Sequence, residues 1–159
     1  MKTQKSWREK LAKDNGLPKV APVPGKMAKR WGTGVMVIPA PREVDGLMRR
    51  VPRGKVTTIN ELRAALAKKH KADLTCPITT GIFAWIAAHA AEEAAAAGRK
   101  RITPYWRTLK AGGQLNEKYP GGIPSLKKLL ASEGHEVVGR GKNFFVKDFA
   151  RRLFAPHAC

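Results

Sequence analysis

The stretch PREVDGLMRRVPRGKVTTINELRAALAKKHKADLTCPITTGIFAWIAAHAAEEAAAAG, residues 41–98, decides the architecture. Pro41 suits a first helical turn, where its missing N–H costs nothing. Val44, Leu47, Met48 and Val51 follow at spacings that put them on one helix face, and Pro52-Arg53-Gly54 stops that helix. Thr58-Ile59-Asn60-Glu61 has the form of a capping box, with Thr58 as cap and Glu61 reaching back. Ile59, Leu62, Ala65 and Leu66 then give the apolar stripe of a second helix, running to about Lys69. Residues 71–77 connect it to a third helix from about Gly81 to Ala97, capped by Thr79 or Thr80 and ended by Gly98. Its wealth of alanine, the best helix former, makes that helix secure.

Working outward, the two ends differ from this middle. Residues 1–40 read as a basic N-terminal arm. Ser6 caps a short helix over Trp7–Lys13, with Glu9 three residues on. LPKVAPVPGK (17–26) carries three prolines, which disfavour helix, and VMVI (35–38) reads as an edge strand ended by Pro39. After residue 98 comes the turn-rich RKRITPYWRTLKAGGQLNEKYPGG (99–122), then a helix from Ser125 to Glu133 stopped by Gly134. The segment from HEVV (135–138) to NFFVKDF (143–149) reads as a β-hairpin. The expected fold is α+β and mostly helical: a winged helix-turn-helix-like body over 41–137, with the last hairpin strand and tail over 138–159.

Charge points to the partner. The chain of 159 residues has 31 Lys and Arg against 12 Asp and Glu, a net +19. Residues 1–55 hold 14 basic and 4 acidic residues, 56–100 hold 6 and 4, and 101–159 hold 11 and 4. A near-neutral middle between basic ends is a packed core flanked by cationic surface. The partner that such a field selects is a polyanion, DNA or RNA. At 43% hydrophobic residues the chain can build a core. Two cysteines, Cys76 and Cys159, exclude a disulfide scaffold. No run of about 18 apolar residues exists to span a membrane. With no secretory signal at the start, a cytoplasmic location is expected.

Few constellations carry chemistry. His89, Glu92 and Glu93 share a helix face, but a solvated face on an Ala-rich helix accounts for them, and neither metal nor cofactor is expected. Gly32 and Gly34 in WGTG read as a turn, not a phosphate loop. Cys76 has no histidine near it in sequence and reads as a small buried thiol. Thr103-Pro104-Tyr105-Trp106-Arg107 is the exception: two aromatics between arginines can stack a base, or one of the rings fills the core.

VPRGKVTTINEL (51–62), TPYWRTL (103–109), YPGG (119–122) and KKLLASEG (127–134) stand in an order that resembles the DNA-binding domain of O6-alkylguanine-DNA alkyltransferases. The chain is more similar still to their non-catalytic relatives, the alkyltransferase-like proteins. The resemblance spans roughly residues 41–137 and lacks the ribonuclease-H-like domain of many alkyltransferases. It implies minor-groove DNA binding with an alkylated guanine flipped into a pocket. The family's acceptor cysteine sits in Pro-Cys-His-Arg, with tryptophan at that cysteine in alkyltransferase-like proteins. Here Tyr105 occupies the acceptor position, Trp106 replaces the activating histidine, and Arg107 matches. Glu133 matches the carboxylate that supports the histidine, and so is expected to have lost its partner. Tyr119 matches a pocket tyrosine, with Gly121 and Gly122 leaving room for a ligand. A phenol, with a pKa of about 10, is a poor acceptor, so no alkyl transfer by the family mechanism is expected.

Two departures concern binding. Ile59 stands where the family has a tyrosine, and no arginine lies between 78 and 98 to fill the gap left by a flipped base. Phe83 or Trp85 can serve as an apolar wedge instead, unless both pack in the core. Lys55, Thr57, Thr58, Asn60, Thr79, Thr80, Phe83, Arg107 and Lys110 are the expected DNA contacts. The leading reading is a non-enzymatic DNA-binding protein that senses alkylated guanine and signals to repair proteins. The alternatives are a general winged-helix DNA or RNA module that flips nothing, and a methyltransferase using a displaced acceptor such as Cys76.

Overall fold

A computed structural model describes residues 5–157. Six helices are present among them: α1 (Trp7–Ala12), α2 (Gly25–Trp31), α3 (Pro41–Arg49), α4 (Ile59–Lys69), α5 (Pro77–Ala96) and α6 (Gly122–Ser132). Seven short strands accompany them: β1 (Lys19–Pro22), β2 (Val35–Ile38), β3 (Thr57–Thr58), β4 (Leu74–Thr75), β5 (Thr108–Leu109), β6 (Val137–Arg140) and β7 (Asn143–Val146). The fold is mixed, with helices dominant and three small sheets. None of the helices is long and apolar enough to cross a membrane.

The body forms around α5. Its buried alanines, Ala84, Ala87, Ala88 and Ala91, let α3 approach closely with Val44, Leu47 and Met48. Leu62 and Leu66 of α4 and Leu126 and Leu130 of α6 complete the core. Thr58 caps α4 by accepting the Glu61 N–H at 3.4 Å. Helix α5 begins a turn earlier than the threonines suggest. Pro77 takes the first helical position, and the Thr80 hydroxyl donates 2.6 Å back to the Cys76 carbonyl rather than capping.

Residues 5–40 are not a free arm. The Ser6–Glu9 capping box forms, and α1 packs along α5. Strand β2 is central rather than an edge: it pairs antiparallel with β1 and parallel with β4. Pro39 lies past the paired residues, so it blocks no ladder bond. The proline-rich stretch before it gives β1 and then α2, which starts directly after Pro24.

At the other end, β6 and β7 form the expected hairpin, with Val137 opposite Val146. Helix α6 starts three residues before Ser125, through Gly121 and Gly122, whose φ angles are +78° and +63°. A Cβ at Gly121 would meet the Ser125 side chain at 2.4 Å. These glycines serve the turn into α6. The chain then returns to the centre: Val56 donates to the Arg152 carbonyl at 2.9 Å and accepts from the Phe154 N–H at 2.7 Å. Cys159 lies outside the described residues.

Candidate nucleic-acid interface

The segment 103–109 is fixed at both ends before its side chains matter. The buried Thr103 hydroxyl donates 2.6 Å to Asp45 of α3, and Thr108–Leu109 pair in parallel with Thr57–Thr58. Between them Tyr105–Arg107 make one 3-10 turn. That turn sends consecutive side chains in different directions.

Tyr105 points inward. It is 2% exposed, and Tyr119, edge-on to it at 6.0 Å, is 3% exposed. The Tyr105 hydroxyl donates to Glu92 at 3.1 Å. Burial and the Glu92 carboxylate both push its pKa up, and burial alone does the same to Tyr119. Both phenols therefore stay protonated.

Trp106 and Arg107 turn the other way, toward Glu133 at the end of α6. The Trp106 indole donates 3.0 Å to one carboxylate oxygen. Arg107 donates to both oxygens at 2.8 Å, and a further N–H at 2.8 Å reaches the Val51 carbonyl. Burial alone would raise the Glu133 pKa, but the Arg107 and Trp106 donors outweigh it and hold the carboxyl below its ordinary value. The expectation that Glu133 lost its partner is thus corrected: the Trp106 indole N–H bonds it, where the resemblance implies an imidazole N–H. The two rings differ in one respect that decides the chemistry. Imidazole carries a second nitrogen that can take up a proton; indole is a donor only. Trp106 can hold this corner in place but cannot deprotonate a neighbour.

The expected DNA contacts separate into two groups. Thr57 is fully buried, Thr58 is spent on the α4 cap, Thr80 bonds the Cys76 carbonyl, and Arg107 is bound to Glu133. Thr57 and Thr58 lie in the interior, and the Thr80 hydroxyl and the Arg107 fork are engaged within the chain. Thr79 is half-buried, and its hydroxyl lies inside without a partner. Phe83 is half-buried against the core. Lys55 and Asn60 are exposed, and Lys110 lines a surface groove beside α5. Arg63, which the sequence does not single out, follows Asn60 on α4, its guanidinium 3.5 Å from the Asn60 side-chain oxygen. It donates to the Thr75 carbonyl at 3.1 Å and lies over the Trp31 ring.

The most exposed large apolar residues of α5 went unread. Ile78 is 61% exposed and Ile82 is 46% exposed. Periodicity gives little contrast there, because no charged residue stands in α5 before His89. The His89, Glu92 and Glu93 face keeps contact with solvent, Glu92 being exposed, and is also partnered within the chain. His89 stacks on Trp7 at 4.6 Å, Glu92 accepts from Tyr105, and Glu93 accepts the backbone N–H groups of Trp7 and Arg8. Among the described residues no group of three side chains is placed to hold a metal. Cys76 is buried at the start of α5.

No protein-family model matches this chain, and no curated protein matches it. Among solved structures the chain is similar to the crystal structure of S. pombe Atl1 in complex with damaged DNA containing O6-carboxymethylguanine. The likeness covers 73% of this chain and 94% of that one, with a TM-score of 0.52 and 17% sequence identity. At that identity the likeness is one of fold.

Proposed function

We propose that this chain is a DNA-binding protein of the alkyltransferase-like type, which recognises O6-alkylated guanine and leaves the alkyl group in place. The observation that carries the reading is the corner built by Tyr105, Trp106 and Glu133. Where the alkyltransferases place a thiol, this chain has a buried phenol bonded to Glu92. Where they place an activating imidazole, it has an indole bonded to Glu133. Neither replacement supplies a nucleophile or a base. The fold of a protein solved on damaged DNA and a net charge of +19 support DNA as the partner. Without transfer chemistry, occupancy of a lesion is itself the signal, and repair proteins are the proposed readers.

A second reading, duplex binding without base flipping, is favoured by one observation. The rings of Tyr105 and Tyr119 already pack against each other in the core. A competition assay between duplexes with and without O6-methylguanine separates the two. Preference for the lesion supports the first reading, and equal affinity selects the second. Intact-mass measurement after incubation tests the absence of transfer; gain of a methyl group on Cys76 or Tyr105 would reject it.

A further inference from the structure

Ile78, Ile82, Trp85 and His89 stand four, three and four residues apart, so they form one stripe along α5. Its halves have different surroundings. The second half is covered. Trp7 of α1 meets Trp85 edge-on at 4.8 Å and stacks on His89, and the Trp85 indole donates 3.2 Å to the Lys118 carbonyl. The first half is bare. Ile78 and Ile82 protrude beside a groove of about 390 Å³ completed by Gly81, Trp85, Lys110, Asn116 and Lys118.

The chemistry of this patch restricts what covers it. Taking exposed isoleucine surface out of water is favourable, so a pair side by side favours an apolar cover. Helix α5 carries no lysine or arginine of its own. The cations stand on the flanking loop, and among the described residues no carboxylate lines the groove. The complement is therefore apolar in the middle and anionic at the side. Base-pair steps bordered by phosphates have that pattern, and apolar side chains that enter a groove part such steps. Gly81 has open space where a Cβ would stand, which lets the helix backbone itself come close. Phe83 and Trp85, the wedge candidates of the sequence, are instead packed against the core.

We propose that Ile78 and Ile82 form an apolar wedge that enters a duplex groove and parts neighbouring base pairs, with Lys110 and Lys118 on the adjoining phosphates. The inference rests on the DNA-binding reading above. It is tested with unmodified duplexes carrying 2-aminopurine, whose fluorescence rises when it unstacks. The proteins are the full chain, Ile78→Ala/Ile82→Ala and Lys110→Ala/Lys118→Ala. The wild type is expected to raise the fluorescence at saturation. The isoleucine variant, altered only at exposed positions, is expected to keep its melting temperature, bind about tenfold more weakly and lose the rise. The lysine variant is expected to keep the rise while its salt dependence flattens by about two phosphates. Duplex binding by the wild type with no rise, or a rise that survives in the isoleucine variant, overturns the wedge and leaves the DNA-binding reading standing. Failure of all three proteins to bind duplex overturns both. A dimer in sedimentation that only the isoleucine variant loses, with fluorescence unchanged, would assign the patch to a second copy of the chain and overturn the wedge.

Discussion

Glu133 shows how one enclosed carboxylate organises the side chains around it. Its side chain is 4% exposed, that of Arg107 is 15% exposed, and three N–H groups converge on the one carboxylate. Removing one partner from such a pair strands the other charge. Glu133→Gln is expected to cost about 3–5 kcal/mol in urea unfolding, because Arg107 stays enclosed without a counter-charge. Trp106→Phe removes a single hydrogen bond to a charged group and is expected to cost about 1.5–3 kcal/mol. The pH dependence has a fixed sign. The folded state holds the Glu133 carboxyl below its ordinary value, against burial, through Arg107 and Trp106. Its stabilisation is complete above the unfolded value of about 4.3 and is lost as pH falls through the lower folded value. Glu133→Gln is therefore expected to flatten the acid limb of the stability profile, read from urea midpoints between neutral and acid pH.

Helix α1 poses a question that only its neighbours answer. Six residues are too few to hold a helix alone. It persists because the Glu93 carboxylate accepts the N–H groups of Trp7 and Arg8, and because Trp7 lies between Trp85 and His89. Trp7→Ala is expected to cost about 2 kcal/mol and to speed amide exchange over residues 6–12, while α3 to α5 keep their protection. Unchanged exchange would show that the capping contacts suffice. The helix itself was legible, since Ser6 and Glu9 are local neighbours in sequence. Its clamp was not, since Glu93 lies 86 residues from Trp7. The same distinction governs the other elements. Helices α3, α4 and α5 announced themselves by apolar spacing, Thr58 and alanine. The α2 helix was hidden because Pro24 reads as a breaker, yet it stands just ahead of the first turn and removes no helical bond. In the site, the order of TPYWR and Glu133 was legible from the chain. Which isoleucines of α5 face outward depends on where α1 and residues 110–118 cover it.

At the scale of the whole molecule the charge does what no single contact does. The +19 surplus lies mainly on the segments that flank α4 and α5, and α5 itself contributes no cation. Affinity for unmodified duplex is therefore expected to rest on counterion release. If about six phosphates are neutralised, binding weakens roughly a thousandfold between 50 and 200 mM salt. Anisotropy titrations across that range check it, and a flat response would remove phosphate contact as the source of affinity. One further consequence comes from Val56, held between Arg152 and Phe154 at the entrance to β3 and α4. On the ribosome, every residue of α4 and α5 is translated well before these two partners. The nascent chain carries α4 and α5 beside an unfinished seam, and the seam closes only after residue 154 has been added. Truncation after residue 148 would leave that interval permanent.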